Sequence, residues 1–244
     1  MATEAIILAG GLGTRLRSAV PHLPKALAPV AGRPFLSYVL QFLEAAGIGR
    51  VVLAVGYRSE AIQNTFGDRY GDLQLVYSIE DEPLGTGGAL MQALTQIRDR
   101  YAFVLNGDTF LEIDYQAMAR QLEETPEGRM AVALRRVEDA ARYGVALVTE
   151  GRITGFASRG MPGGGLINAG SYVVSRQLFE HYPMPLKFSW EQDFLQARVA
   201  ELRPVAFECD GAFIDIGIPE AFEQAGELLP VWMPEVARPL DNKA

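Results

Sequence analysis

Leu8-Ala9-Gly10-Gly11-Leu12-Gly13-Thr14-Arg15 sets three glycines and a cation directly after an apolar run, and Lys25 follows ten residues later. Glycine lets backbone N–H groups turn toward an anion with no Cβ in the way. Arg15 and Lys25 would then neutralise a polyphosphate, so the stretch reads as a grip for a nucleoside triphosphate. Two common phosphate grips fail on spacing. A P-loop needs a lysine directly after its last glycine, and Thr14 stands there. The dinucleotide fingerprint needs a third glycine, and Leu16 stands there. The plainer alternative is a glycine-rich surface loop with chance cations.

Reacting phosphates call for a divalent cation, usually Mg²⁺, and for carboxylates at strand ends to hold it. Asp108 follows an apolar strand in Leu-Asn-Gly-Asp-Thr, at the carboxyl end where open α/β sheets bind ligands. Asp215 sits among apolar residues in Phe-Ile-Asp-Ile-Gly. A buried carboxylate there is costly unless paired or metal-bound. The plainer alternatives are a turn aspartate at 108 and a solvent-facing edge-strand acid at 215.

A third segment runs Glu80-Asp81-Glu82-Pro83-Leu84-Gly85-Thr86-Gly87-Gly88. Its glycines allow close approach to a flat base. Guanine presents two adjacent N–H donors, and an ionised carboxylate accepts both. Uracil or thymine would present acceptors that a carboxylate repels. Glu80 or Glu82 near a base therefore favours guanine, unless these acids only cap the next helix.

These residues need a scaffold of strand ends. Ala5–Leu8, Val51–Val55, Leu73–Ile79 and Tyr101–Leu105 read as buried strands. Helical spacing separates them at Pro34–Ala46, Ser59–Phe66 (which Ser59 could cap) and about 86–97, and returns at Tyr115–Glu124. Such alternation predicts a parallel sheet covered on both faces. Beyond about residue 128 come strands Met130–Arg136, Gly144–Thr149, Arg152–Ala157 and Leu166–Val174. A helix over Ser189–Leu202 follows, with Ser189 and Gln192 as a capping box. Strand Phe213–Ile216 and helix Pro219–Leu229 complete the series. The expected fold is α/β: a Rossmann-like, three-layer, mostly parallel mixed sheet with helices on both faces, plus a smaller antiparallel part. It forms one domain over 1–229, with a nucleotide-binding half to about 128, a second half over 129–229 to which the resemblance described below gives the sugar, and a tail over 230–244.

Composition narrows the partners. With 22 basic against 30 acidic residues the net charge is −8, which argues against nucleic acid. One cysteine, Cys209, excludes an internal disulfide and a cysteine-based zinc site. No apolar run reaches the roughly 18 residues of a membrane span, and the first residues lack a signal peptide's basic region. A cytoplasmic chain acting on small molecules is expected, with a homodimer left open.

Gly10, Gly11, Gly13, Thr14, Arg15, Leu16, Pro24 and Lys25 together match Gly-Gly-x-Gly-Thr-Arg-Leu followed by Pro-Lys. With the segments around Glu82, Asp108, Asn168, Glu191 and Asp215, the chain resembles the sugar-phosphate nucleotidyltransferases from residue 4 to about 228. Leu16-Arg17-Ser18 and Phe188-Ser189-Trp190-Glu191-Gln192-Asp193 are most similar to the bacterial branch that acts on D-glycero-α-D-manno-heptose 1-phosphate with GTP. Mannose 1-phosphate guanylyl transfer, N-acetylmuramate 1-phosphate uridylyl transfer and an inactive nucleotide-sugar binding module stand as alternatives. The resemblance implies that Leu8, Ala9, Gly10, Gly11, Gly13, Thr14, Glu80, Gly85 and Thr86 contact the nucleotide. It gives Arg15 to the outer phosphates, Lys25 to the reacting ones, and Mg²⁺ to Asp108 and Asp215. Gly144, Asn168 and Arg159 would meet the sugar phosphate. The family commonly has Glu-Lys where this chain has Ser158-Arg159. Arg159 can still grip a phosphate, but Ser158 does not replace a carboxylate's acceptors.

Overall fold

The computed structural model describes residues 2–11, 16, 23–157 and 163–233. The first half runs β1 (Glu4–Leu8), the hairpin β2 (Pro29–Val30) and β3 (Arg33–Pro34), α1 (Phe35–Ala45), β4 (Arg50–Val55) and α2 (Ser59–Phe66). It continues through β5 (Arg69–Tyr70), β6 (Leu73–Ile79), α3 (Gly85–Leu94), β7 (Tyr101–Asn106), β8 (Thr109–Leu111) and α4 (Tyr115–Glu123). The second half holds β9 (Met130–Val137), β10 (Ala146–Thr149), β11 (Arg152–Phe156), β12 (Gly165–Ser175) and α5 (Leu178–His181). A π-helix (Trp190–Gln196), α6 (Val199–Leu202), β13 (Val205–Cys209), β14 (Phe213–Asp215) and α7 (Pro219–Trp232) follow.

Ten strands form one sheet in the order β10-β11-β13-β9-β12-β7-β1-β4-β6-β5. Strands β7, β1, β4 and β6 are parallel, so their carboxyl ends line up on one edge. Strand β12 runs antiparallel between β7 and β9, which makes the sheet continuous from the first half into the second. The antiparallel part is thus an extension of the main sheet. The small separate antiparallel units are β14 against β8 and the β2–β3 hairpin.

Side-chain alternation along the strands divides the core in two. Ala5 and Ile7 of β1, Val51 and Leu53 of β4, and Phe103 of β7 face α1, α2, α4 and α7. Ile6, Val52, Ala54, Ala102 and Val104 face α3 and the π-helix. Helices therefore cover both faces, as the strand–helix alternation predicts.

Some local expectations are corrected. Ser59 lies inside α2, and the cap position is Arg58 in a left-handed conformation with no side-chain cap bond. The single helix expected over Ser189–Leu202 is a π-helix followed by the short α6. Ser189 Oγ does accept the Gln192 N–H, at 3.2 Å, but the reciprocal bond to the Ser189 N–H comes from the Asp193 carboxylate at 2.7 Å. Strands β8 and β13, which the sequence pattern did not announce, pair with β14 and β9. Helix α7 runs past Leu229 to Trp232, whose ring stacks on Phe110 at 6.2 Å, so chain expected in the tail belongs to the packed structure. Residues 234–244 of the expected tail lie outside the described residues. Among the described residues, no helix is long and apolar enough to cross a membrane.

Candidate active site

The carboxyl ends of β1 and β7 are locked side by side. The Gly107 N–H donates to the Leu8 carbonyl at 3.0 Å, and the Ala9 N–H to Ala54 at 2.8 Å. A Cβ at Gly107 would lie 2.7 Å from that Leu8 carbonyl oxygen, so glycine alone permits this approach. Gly10 and Asp108 thereby emerge from neighbouring strands onto one ledge.

Asp215 arrives from the far end of the sequence. It ends β14, where it pairs with Thr109, and the Ile216 N–H donates to the Asp108 carbonyl at 3.0 Å. Its Oδ1 accepts the Gly217 N–H at 2.7 Å. Lys25 opens a short 3₁₀ turn and makes an ion pair with Asp108, its side chain 12% exposed. A Cβ placed on Gly217 would lie 2.7 Å from Asp215 Oδ1 and 3.2 Å from Lys25 Nζ, which sets the ammonium close to both acids. Burial pushes the Asp215 carboxyl above the usual range, and the Asp108 charge raises it further; Lys25, the Gly217 N–H and Arg142 pull the other way.

Two close acids of oxygen donors, one destabilised by the other, are a donor set for a hard divalent cation. Among the described residues, no group of three or more His, Cys, Asp or Glu residues is placed to hold a metal. A cation here would take two carboxylates from the protein and further oxygens from elsewhere.

Glu80 follows β6. Its N–H donates to the Val55 carbonyl at 2.9 Å, and its Oε2 accepts the Leu84 N–H at 2.9 Å. A Cβ on Gly10 would lie 2.5 Å from Glu80 Oε1, so the carboxylate lies directly over the glycine ledge. Burial raises its pKa and the Leu84 N–H partly offsets this. Asp81 and Glu82 are exposed, which leaves Glu80 as the acid of this segment that faces the site. Gly85, at φ 72°, hugs Phe188, and the Trp190 N–H donates to Thr86 Oγ1 at 3.0 Å. Thr86 thus fastens the loop to the π-helix as well as facing the site.

Two cavities open on this ledge. The first, of about 460 Å³, is lined by Leu8, Ala9, Gly10, Gly11, Lys25 and Glu80, with Gly85, Thr86, Trp190 and Gln192 closing it. That volume lies within the range of small-ligand sites. The second, of about 170 Å³, is lined by Arg142, Tyr143, Gly144, Asn168, Gln196 and Asp215 among others. Asn106, Asp108 and Glu191 border both. The expected residues that the structure describes fall into two groups. Leu8, Ala9, Gly10, Gly11, Lys25, Glu80, Gly85 and Thr86 line one cavity, Gly144, Asn168 and Asp215 the other, and Asp108 both. Gly13, Thr14, Arg15 and Arg159 lie outside the described residues.

Arg142 was not anticipated, and Glu191 stood in a motif with no role assigned to it. Arg142 is exposed at the mouth of the second cavity, its guanidinium 5.3 Å from the centre of the Tyr143 ring. The signal for it is its place two residues before Gly144, which the resemblance gives to the sugar phosphate.

The family model described as "Nucleotidyl transferase" matches residues 4–230. The chain is 40% identical over 222 residues to D-glycero-alpha-D-manno-heptose 1-phosphate guanylyltransferase of Aneurinibacillus thermoaerophilus, covering 91% of this chain and 96% of that protein. It is 34% identical to mannose-1-phosphate guanylyltransferase of Mycobacterium tuberculosis, covering 90% of this chain but 62% of that one. The crystal structure of HddC from Yersinia pseudotuberculosis complexed with GMP-PN superposes with a TM-score of 0.82 at 35% identity, covering 93% of this chain and 99% of that chain.

Proposed function

The chain belongs to the nucleotidyl transferase family, and from that premise we propose that it joins GTP to D-glycero-α-D-manno-heptose 1-phosphate, releasing pyrophosphate. The reaction class is nucleotidyl transfer from a nucleoside triphosphate to a sugar 1-phosphate. The observation that carries the site assignment is the pair of cavities meeting at Asn106, Asp108 and Glu191, with Lys25 and Asp215 beside that junction. The heptose assignment is supported by the 96% coverage of the heptose enzyme against 62% of the mannose enzyme.

In the reaction, a phosphate oxygen of the sugar 1-phosphate forms a bond to the α-phosphorus of GTP. The bond from that phosphorus to the pyrophosphate oxygen breaks. No protein nucleophile is required, so the protein contributes positioning and charge stabilisation. Gly10 and Gly11 let the triphosphate lie against the backbone, and Lys25 meets the reacting phosphates. Asp108 and Asp215 would hold Mg²⁺, which when bound offsets charge on those phosphates. A reaction that consumes GTP suits the cytoplasm, where nucleoside triphosphates are held.

Glu80 selects the base. Its Oε1 lies over the glycine ledge, free to accept from guanine, while Oε2 is fixed by Leu84. Glu80→Gln should lower kcat/KM for GTP roughly 10- to 100-fold, the loss of a charge-assisted pair, and should change UTP and ATP far less. Because burial raises the Glu80 pKa, acidification removes the acceptor early. Wild-type preference for GTP should fall with pH above the range of an exposed glutamate, and Glu80→Gln should show no such fall. Equal losses for all nucleotides would reject the base-reading role.

Arg142 receives the sugar 1-phosphate. It is the described guanidinium at the second cavity, near enough to Asp215 to influence its titration. Arg142→Ala should raise the KM for the sugar 1-phosphate by about tenfold, the low end for a hydrogen bond to a charged group, and leave the KM for GTP unchanged. Steady-state kinetics with each substrate varied in turn would check this.

A further inference from the structure

Glu191 stands where the two cavities meet, and the reaction as derived makes no use of it. Its backbone belongs to the π-helix, whose wide i to i+5 bonding appears in the Ala197 N–H donated to the Gln192 carbonyl at 3.3 Å. Five residues apart, Glu191 and Gln196 both face the second cavity. The start of the element is fastened by the Ser189 and Asp193 bonds and by the Trp190 N–H on Thr86.

The carboxylate is held by one oxygen. Tyr172 donates its hydroxyl to Glu191 Oε1 at 3.1 Å, and Asn106 Nδ2 donates to the same atom at 3.3 Å. Asn168 Nδ2 in turn donates to the Tyr172 hydroxyl at 2.9 Å. Tyr172 is fully buried, its ring edge-on to Trp190 at 5.4 Å. Burial first, and the Glu191 charge second, keep that phenol protonated, so it serves as a fixed donor. Three side chains therefore set the angle of a carboxylate whose Oε2 has no hydrogen-bond partner among the described residues. An ionised carboxylate oxygen can only accept. Its natural partner is a hydroxyl.

We propose that Glu191 Oε2 accepts one hydroxyl of the sugar in the second cavity and makes Glu191 a specificity-determining residue. The sugar side is favoured over the ribose side because Asn168 and Gln196, the residues allied with Glu191, line the second cavity and not the first. The inference rests on the reading of that cavity as the sugar 1-phosphate site.

Glu191→Gln keeps the volume and keeps an acceptor for Tyr172 and Asn106. The test takes the sugar 1-phosphate that wild type turns over, together with analogues lacking each ring hydroxyl in turn, and separately 2′- and 3′-deoxynucleoside triphosphates. At one sugar position wild-type kcat/KM should fall about tenfold or more on deoxygenation and that of Glu191→Gln less than about threefold. Discrimination against the deoxynucleotides should be the same in both proteins. Three results would overturn the proposal: a common slowing of every sugar analogue, full discrimination retained at every position, or a change confined to the deoxynucleotides. Wild-type inactivity with every sugar 1-phosphate would instead bring down the reading of the cavity, and this inference with it.

Discussion

Replacing Asp108 with asparagine should lower kcat by about 10³-fold or more, the several kcal/mol that a cation at the reacting phosphates supplies. Asp108 borders both cavities and carries the ion pair to Lys25. Asparagine removes the charge, and with it the ion pair to Lys25, while keeping the side chain's size. The Thr109 hydroxyl can still donate to the side-chain oxygen it reaches at 3.3 Å, and the main-chain bond from Ile216 is untouched. The melting transition should therefore remain cooperative, with the loss confined to turnover. Pyrophosphate release measured beside a thermal melt separates the two. Turnover near the wild-type rate would remove Asp108 from the reaction.

Asp215→Asn should lose turnover by a comparable factor, about 10²- to 10³-fold, and yet melt at a higher temperature in buffer without divalent cations. The sign follows from the titration. Burial and the Asp108 charge raise the Asp215 carboxyl above its unfolded value. A raised acid contributes stability below the unfolded pKa and loses it as pH climbs through the folded pKa. Above its folded pKa, where the group is ionised, its charge is a cost. Asparagine relieves that cost and keeps an acceptor for the Gly217 N–H. For a chain of this size each kcal/mol gained moves Tm by roughly 2–4 °C. The gain should shrink in acid, where wild type is protonated, and should reverse when Mg²⁺ stabilises wild type alone. A variant that melts lower than wild type at neutral pH without cations would contradict the account of Asp215 as a strained, cation-seeking carboxylate.

Much of the site was legible because its signals are local. Glycines at 10 and 11, the Asn-Gly-Asp turn and the acid-then-glycine run at 80–88 each announce a strand end and a ligand-facing loop within a few residues. The central parallel strands were equally plain from their apolar runs. What escaped depends on partners distant in sequence. Strand β13 reads as a strand once β9 lies beside it, and β8 once β14 does. The π-helix differs from an α-helix by one step of bonding, and no periodicity in Trp190–Gln196 reveals that. Glu191 was visible as part of a motif but not as a wall shared by two cavities. Glu80 and Glu82 were indistinguishable by residue type; the Leu84 N–H and the Gly10 ledge separate them. Ser59 had the residue type of a cap but sits one position inside its helix.

The most direct measurement is a competition. The protein is supplied with Mg²⁺, equal concentrations of GTP, UTP, ATP and dTTP, and equal concentrations of heptose, mannose, glucose and N-acetylmuramate 1-phosphates, and the products are resolved by mass. GDP linked to the D-glycero-α-D-manno-heptose is the product expected to dominate, accompanied by stoichiometric pyrophosphate. A uridine-linked sugar as the main product, or no nucleotide sugar at all, would contradict the account.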